Sequence, residues 1–266
     1  MVVTEFSAAT RRAMLGRAAE NVFDVAVIGG GITGAGVARE AALRGLSVVL
    51  LERGDYASGT SSRSSKLIHG GLRYLAQGDL GLVREAARER AVLRRMAPHL
   101  ARPTTMLVPV RSRSGQMKLR AGLWTYARLA GAQAPESHRS MSRSETLAAE
   151  PSLDGRRIAG SVAFTEYATD DARLTLETVL SAVAAGAVAA NYAEVVGCQE
   201  RRDGVGLVVE DRIGGQRLVV RARVAVNAAG PWLEATAARI GCPGAPPLEL
   251  TRGIHLCFPR DRLPVR

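Results

Sequence analysis

F-D-V-A-V-I-G-G-G-I-T-G-A-G-V-A-R-E-A-A-L-R-G-L-S-V-V-L-L-E, residues 23–52, is the stretch whose reading decides the fold. Val25, Val27 and Ile28 read as a short buried strand. Gly29, Gly31 and Gly34 then give G-x-G-x-x-G where that strand turns into a helix. Gly29 permits a tight turn, Gly31 lets the backbone approach a pyrophosphate without a Cβ in the way, and Gly34 with Ala38 lets the helix lie close to the sheet. The helix N-terminus offers N–H groups and a partial positive charge to phosphates. A G-x-G-x-x-G alone is weak, so its context matters. Val48, Val49, Leu50 and Leu51 form a second apolar strand ending in Glu52, an acid about 20 residues past the glycines, where a ribose 2′-hydroxyl is read. An acid there disfavours a 2′-phosphate. A Gly-rich turn in an ordinary α/β unit with a solvated Glu52 is the plainer alternative. FAD and NAD both satisfy the pattern.

The 266 residues, 47% of them hydrophobic, are enough for a large core in one big domain or two small ones. The net charge of +11 comes almost wholly from arginine, since Lys66 and Lys118 are the only lysines. Such a balance suits nucleic acid, an anionic membrane surface or an acidic substrate. The basic residues are scattered and no aromatic platform interleaves with them, so no nucleic-acid partner is expected. Cys198, Cys242 and Cys257 lie far apart without C-x-x-C or a nearby histidine pair. We expect no metal site, and buried thiols in a reducing compartment. Residues 1–22 lack the continuous apolar region of a leader, and no run reaches the roughly 20 apolar residues of a membrane span. The expectation is a cytoplasmic protein, with a peripheral seat on the cytoplasmic face of the membrane left open. Residues 5–20 read as a short polar helix before the fold begins.

Residues 53–74, R-G-D-Y-A-S-G-T-S-S-R-S-S-K-L-I-H-G-G-L-R-Y, would ordinarily be a flexible loop. Following the acid-tipped strand, they fall across the bound dinucleotide. The run G-T-S-S-R-S-S-K-L-I-H-G-G-L-R-Y-L resembles the signature of the FAD-dependent glycerol-3-phosphate dehydrogenases, within the wider D-amino-acid-oxidase-like flavoproteins. The resemblance continues through E-A-A-R-E-R-A-V-L-R-R-M-A-P-H-L, T-D-D-A-R-L at 169–174, N-A-A-G-P-W at 227–232 and T-R-G-I-H-L-C-F-P-R at 251–260. It implies that Ser61, Ser62, Ser64, Ser65, Lys66 and Gly70 line an FAD, with Leu67 and Ile68 beneath it. It places His69 by the isoalloxazine, as base or as flavin orienter, and Arg73 with Tyr74 toward the substrate. Oxidising a secondary alcohol by hydride transfer to a flavin needs a base at the hydroxyl, and a phosphate monoester needs a fixed cation. The implied reaction takes sn-glycerol 3-phosphate to dihydroxyacetone phosphate and passes electrons to a quinone. Contact with the inner membrane and a homodimer are compatible with it.

Further along, residues 80–100 read as a scaffold helix, with Leu82, Ala86, Ala87, Arg90, Leu93 and Met96 at fair helical spacing. Residues 105–110 read as a strand, 119–130 as a helix, and 132–143, with Pro135, as an exposed connection. Asp170 is expected to cap a helix over 172–184, a second role near substrate being open for Asp171 and Arg173. Strands are expected at 188–196 and 206–210, then a hairpin at Gly214 and Gly215 into 217–224. The resemblance places adenine against the backbone near Val195 or Val196. A return strand at 224–227 leads to Ala228, Ala229 and Gly230, small enough to pass close to the cofactor, and Pro231 opens a helix. Trp232 alone reads as a core aromatic, and His255 as a packed histidine on a strand.

The expected fold class is α/β, a Rossmann-like FAD-binding domain with a β-rich substrate domain, truncated at the C-terminus. The expected division is an extension at 1–22, the first part of the FAD domain at 23–110, a substrate region with interleaved strands at 111–225, and a return to the FAD domain plus the next substrate strand at 226–266. The family's proteins continue beyond the equivalent of Arg266, so a fragment or a truncated product is expected. Two other readings stay open: another amine or amino-acid oxidase of this fold, against which L-I-H-G-G-L-R-Y argues, and a non-catalytic remnant that holds FAD weakly or not at all.

Overall fold

The computed structural model describes residues 6–69, 78–131, 138–242, 247–251 and 253–265. In chain order these form α1 (Arg11–Glu20), β1 (Val22–Ile28), α2 (Ile32–Leu43), β2 (Val48–Leu51), β3 (Leu67–Ile68), α3 (Leu80–Met96), β4 (Arg102–Val110), α4 (Arg113–Ala130), β5 (His138–Ser142) and α5 (Arg143–Ala149). There follow β6 (Gly160–Ala168), α6 (Asp171–Ala184), β7 (Val188–Ala190), β8 (Ala193–Arg201), β9 (Gly204–Asp211), β10 (Arg217–Asn227) and α7 (Leu233–Arg239). The chain divides into two compact units, residues 1–65 with 170–251 and residues 66–169 with 252–266. These divisions differ from those expected from sequence. Met14, Leu15 and Ala18 of the expected extension contribute to the first core, and β10 runs unbroken through position 225.

The first unit is a six-stranded sheet in the order β7-β2-β1-β10-β9-β8. Strands β7, β2, β1 and β10 are parallel, and β9 and β8 continue antiparallel. Strand β2 reads V-V-L-L with every residue buried because both of its faces are covered. Val27, Val48 and Leu50 pack against Ala35, Ala38 and Ala42 of α2 and Val179 and Ala182 of α6. The alternate residues Ala26, Ile28, Val49 and Leu51 pack in a cluster with Met14, Leu15 and Ala18 of α1. Thus the helix expected to precede the fold is part of its core. Its polar composition hides a narrow stripe of three apolar residues.

Helix α1 is fastened at its start. The Arg11 guanidinium donates to the carbonyls of Asn191 and Tyr192 and, at 2.6 Å, to the Asp211 carboxylate. That hydrogen bond, reinforced by the Ile213 and Gly214 N–H groups, holds the buried Asp211 carboxyl below its ordinary value. The folded-state pKa is depressed, so the pair's stabilisation is present above the unfolded pKa and lost as pH falls through the folded one. Arg11→Met is expected to cost about 2 kcal/mol at neutral pH, the scale of a charged hydrogen bond. The deficit relative to the parent should shrink in acid, read as the difference in urea midpoints at neutral and at acid pH.

Two strands depart from expectation. The run expected at 188–196 is broken into β7 and β8 by Asn191 and Tyr192, the latter at φ 51°. The runs expected at 217–224 and 224–227 are one eleven-residue strand, β10. Its first part pairs antiparallel with β9 and its second part parallel with β1.

In the second unit, β6 pairs with β4 along its whole length on one edge, and with β5 and then β3 on the other. Leu123 of α4 packs on Val162 and Phe164 of β6. Helix α4 starts six residues before the expected 119, where the Ser112 hydroxyl accepts from Gly115 N–H. Helix α3 buries Val83, Ala87 and Arg90, so its inner face includes Val83 and leaves out the exposed Leu82 and Met96. Arg90 lies against Glu166 at 3.1 Å, with both side chains buried. Part of the connection expected at 132–143 is strand β5, whose last residue opens a capping box. The Ser142 backbone N–H and hydroxyl hold the Glu145 carboxyl down to about 2. Residues 132–137 lie outside the described residues.

Residues 253–259 form no strand, contrary to the reading of that stretch. Among the described residues no neighbouring strand pairs with it, and Ile254, Leu256, Phe258 and His255 are exposed. The cysteines also differ from expectation: Cys242 and Cys257 are exposed and Cys198 is half-buried on the edge strand β8.

Candidate functional site

The three glycines sit where β1 passes into α2. Gly29 takes φ +111°, and a Cβ built on it would stand 2.5 Å from the Ala228 carbonyl oxygen, so the turn lies directly against the end of β10. A Cβ on Gly34 would stand 1.9 Å from the Gly29 carbonyl oxygen, which is how closely α2 crosses its own entry turn. Gly31 is different. Its φ of −78° is open to any residue, and a Cβ there would meet the Ser61 hydroxyl at 3.2 Å. The space beside it belongs to a cavity.

Glu52 directly follows β2, with its carboxylate buried. One oxygen accepts the Gly30 N–H at 2.6 Å and the other the Gly54 N–H at 2.7 Å. Each oxygen keeps a further lone pair for a hydroxyl. Gly30, inside the glycine run but outside the motif, matters for this arrangement. A Cβ on it would press on the Glu52 and Tyr56 side chains at 2.8 and 2.7 Å. Burial pushes the Tyr56 phenol well above its ordinary value, and its hydroxyl has no hydrogen-bond partner among the described residues.

These groups border a cavity of ≈320 Å³ in the first unit. At one part stand Gly29, Gly31 and the start of α2, where no side chain caps through Gly31 and the Ile32 N–H is donated to Ser61 Oγ at 2.9 Å. The Ser61 proton remains available to an acceptor. Glu52 and Arg53 follow, and then Val195 and Glu194 of β8. Ala229 and Gly230 form part of the wall after β10. The arrangement combines N–H groups and a helix dipole for a diphosphate, a carboxylate for a ribose, and a strand edge for a flat ring. That donor set fits the adenosine diphosphate half of a dinucleotide.

The structure brings Gly29, Gly31, Glu52, Ser61, Ala229 and Gly230 together at this cavity. Gly34 serves the packing behind it. Val195 lines it, whereas Val196 falls within the register shift between Val195 and Gly197 and is not part of the lining. The Ser62 hydroxyl donates to the Gly59 carbonyl, and Ser64 donates to Asp171 at 2.6 Å, holding the serine loop to the start of α6. Asp170 accepts the Arg173 N–H at 3.0 Å as the helix cap. Ser65 is exposed. Lys66 and His69 belong to the second unit, where Lys66 takes φ 60° and its carbonyl accepts the Thr169 N–H. Gly70, Arg73 and Tyr74 lie outside the described residues.

Several lining side chains were not anticipated. Trp232, expected in the core, is 39% exposed at the cavity, with the Arg53 guanidinium 4.0 Å from its ring centroid. Glu194 receives Arg239 at 2.5 Å and Arg212 at 2.6 Å, which orders Arg239 at the cavity wall. The position of Arg53 directly after the acid-tipped strand was the available sequence signal. Nothing local marked Arg239.

Residues 24–266 match the family described as FAD dependent oxidoreductase. The aerobic glycerol-3-phosphate dehydrogenase of Staphylococcus aureus is 39% identical over 247 residues, 91% of this chain and 44% of the relative. The crystal structure of a glycerol-3-phosphate dehydrogenase from Bacillus halodurans complexed with FAD superposes with a TM-score of 0.70 at 37% identity, over 88% of this chain and 40% of that one. Glycine oxidase from Geobacillus kaustophilus gives a TM-score of 0.61 at 25% identity, over 83% of this chain and 58% of that one. The chain therefore spans less than half the length of the glycerol-3-phosphate dehydrogenases it resembles.

Proposed function

Because the chain belongs to the FAD dependent oxidoreductase family, we propose that it is the part of an sn-glycerol 3-phosphate dehydrogenase that holds the adenosine end of FAD. The likeness to two glycerol-3-phosphate dehydrogenases, with L-I-H-G-G-L-R-Y at 67–74, is the observation that carries this reading.

Gly31 and the first N–H groups of α2 bind the pyrophosphate with the Ser61 hydroxyl, Glu52 binds the adenosine ribose, and the backbone at Val195, not Val196, reads the adenine. Gly29, Ala229 and Gly230 keep the approach open. Ser62, Ser64, Ser65, Lys66 and Gly70 belong to the stretch assigned to the rest of the cofactor. Bound there, FAD supplies a two-electron acceptor. His69 is assigned to take the hydroxyl proton as a hydride leaves the carbinol carbon, giving dihydroxyacetone phosphate. Arg73 and Tyr74 are assigned to the substrate side, Arg73 pairing with its phosphate. A quinone as final acceptor, a peripheral seat on the cytoplasmic face of the membrane and a homodimer complete the reading. Among the described residues no helix is long and apolar enough to cross a membrane.

The test is the visible spectrum of the purified chain, before and after anaerobic addition of glycerol 3-phosphate, with glycine as the competing substrate. A flavin spectrum bleached by glycerol 3-phosphate and lost as a response in His69→Gln supports the reading. Bleaching by glycine alone would move the chain to the amino-acid oxidases. A protein that takes up no FAD on reconstitution would overturn the cofactor assignment for this chain.

A further inference from the structure

The glycine turn offers a diphosphate N–H groups and a helix dipole, but no full positive charge. Each phosphate of a dinucleotide carries a negative one. Among the described residues lining the cavity, Glu52, Glu194, Arg53 and Arg239 have charged side chains. Arg239 is committed to Glu194, which also takes Arg212. Arg53 is placed differently. It makes no ion pair or side-chain hydrogen bond among the described residues, and its guanidinium lies 4.0 Å from the centroid of the Trp232 ring.

Both members of this stack are held by the backbone around them. On one side of Arg53 the Glu52 carbonyl accepts the Ala193 N–H at 2.7 Å, and on the other the Gly54 carbonyl accepts the Tyr192 N–H at 2.9 Å. Trp232 follows Pro231 in a turn fastened by Asn227, which accepts the Ala229 N–H at 3.2 Å and donates to the Leu233 carbonyl at 2.9 Å. The ring is also seated against the serine loop. A Cβ on Gly59 would stand 3.0 Å from Trp232 Cζ3, so the loop backbone runs directly along the indole. A guanidinium over an aromatic face keeps its in-plane N–H groups for a second partner. A cation without a carboxylate, fixed at the wall of a cavity shaped for a diphosphate, matches the charge that the glycine turn leaves unbalanced.

We propose that Arg53 is the cation that pairs with the diphosphate of the bound dinucleotide, and that Trp232 is the residue that positions it. The acid for the ribose and the cation for the diphosphate are then consecutive in sequence. This rests on the assignment of the cavity to the adenosine diphosphate end of FAD and not on the identity of the substrate, so it is tested without turnover. FAD and ADP are titrated into the full apoprotein, with flavin fluorescence reporting the first and calorimetry the second. Arg53→Gln should weaken both about tenfold, as loss of a charge-assisted hydrogen bond at a half-exposed site does. It should also flatten the salt dependence of ADP binding and leave the thermal midpoint of the apoprotein unchanged. Arg53→Lys should recover part of the affinity, because it restores the charge without the planar fork. Trp232→Leu should weaken ADP binding roughly threefold while Trp232→Phe, which keeps an aromatic platform, stays near the parent. Unchanged nucleotide binding in Arg53→Gln would overturn the assignment. So would a loss confined to FAD, an unaltered salt dependence, or a lysine variant no better than the glutamine one. A parent chain that binds ADP in this way but whose flavin is not bleached by glycerol 3-phosphate would keep the pairing and lose the dehydrogenase reading. A parent that binds no ADP would lose the assignment of the cavity, and the pairing with it.

Discussion

Gly34→Ala is expected to leave the chain without a stable first unit. The added methyl would lie 1.9 Å from the Gly29 carbonyl oxygen and 3.3 Å from the Ala228 Cβ. The oxygen is backbone, so relief requires α2 to lift away from β1. That motion would open the cluster of Ala35, Ala38 and Ala42 against Val27, Val48 and Leu50. Overpacking of well-filled interiors costs about 1–3 kcal/mol where side chains can yield, and more where backbone must move. We therefore expect a loss of at least about 3 kcal/mol, measured as a collapse of the urea midpoint with or without FAD. Gly31→Ala is its counterpart at the same turn. Its backbone angles tolerate a side chain, and the methyl would enter the cavity near Ser61. It should leave the midpoint of the apoprotein nearly unchanged and weaken FAD binding roughly 100-fold, about 3 kcal/mol, read by flavin titration. Equal damage from both substitutions would contradict the assignment of one glycine to packing and the other to the ligand.

The second large effect is expected at Arg90→Met. Arg90 is 3% exposed, faces Glu166 at 3.1 Å, and lies 5.8 and 5.7 Å from the Tyr126 and Tyr167 ring centroids. Removing the cation leaves the Glu166 carboxylate, 6% exposed, without that counter-charge in an apolar site bounded by β6. Breaking a buried pair from one side costs about 3–5 kcal/mol, because the remaining charge cannot recover its hydration. The double replacement Arg90→Met, Glu166→Leu should recover most of that, since it removes both desolvated charges together. Thermal unfolding of the parent, the single and the double variants checks it. A double variant no better than the single one would show that the pair's remaining neighbours, and not its charge balance, dominate.

The βαβ unit was legible because its signals are local. The apolar runs of β1 and β2, the glycine spacing between them, the terminal Glu52 and the Asp170 cap all act within a few residues of where they are read. Helix α1 was not, since three buried positions among ten residues cannot be told from chance without the sheet they meet. The break between β7 and β8 escaped notice because Tyr192 adopts a left-handed backbone angle that its identity does not announce. The capping box at Ser142 and Glu145 was present as S-x-x-E, but the surrounding polar run masked it. At the cavity, Gly29, Gly31 and Glu52 are the lining residues that spacing alone had singled out. Trp232, Glu194 and Arg239 were missed because their roles depend on neighbours distant in sequence, Arg53 for the first and β8 with Arg212 for the others.

Strand β10 has a consequence for how the protein is made. Strand β1 lies in the middle of its sheet with β2 on one edge and β10 on the other, and Ile28 pairs with Asn227. On a ribosome moving at about 5–20 residues per second, β1 waits roughly 10–40 s for that partner. By the last part of that interval, once residue 169 has been made, the second unit, inserted between residues 65 and 170, is complete except for residues 252–266. The nascent chain therefore carries an open parallel strand edge rich in valine while its neighbour folds, the high contact-order situation in which chaperone capture competes with self-association. For this protein, yield in a host cell should depend less on the stability of the finished sheet than on how that waiting edge is covered.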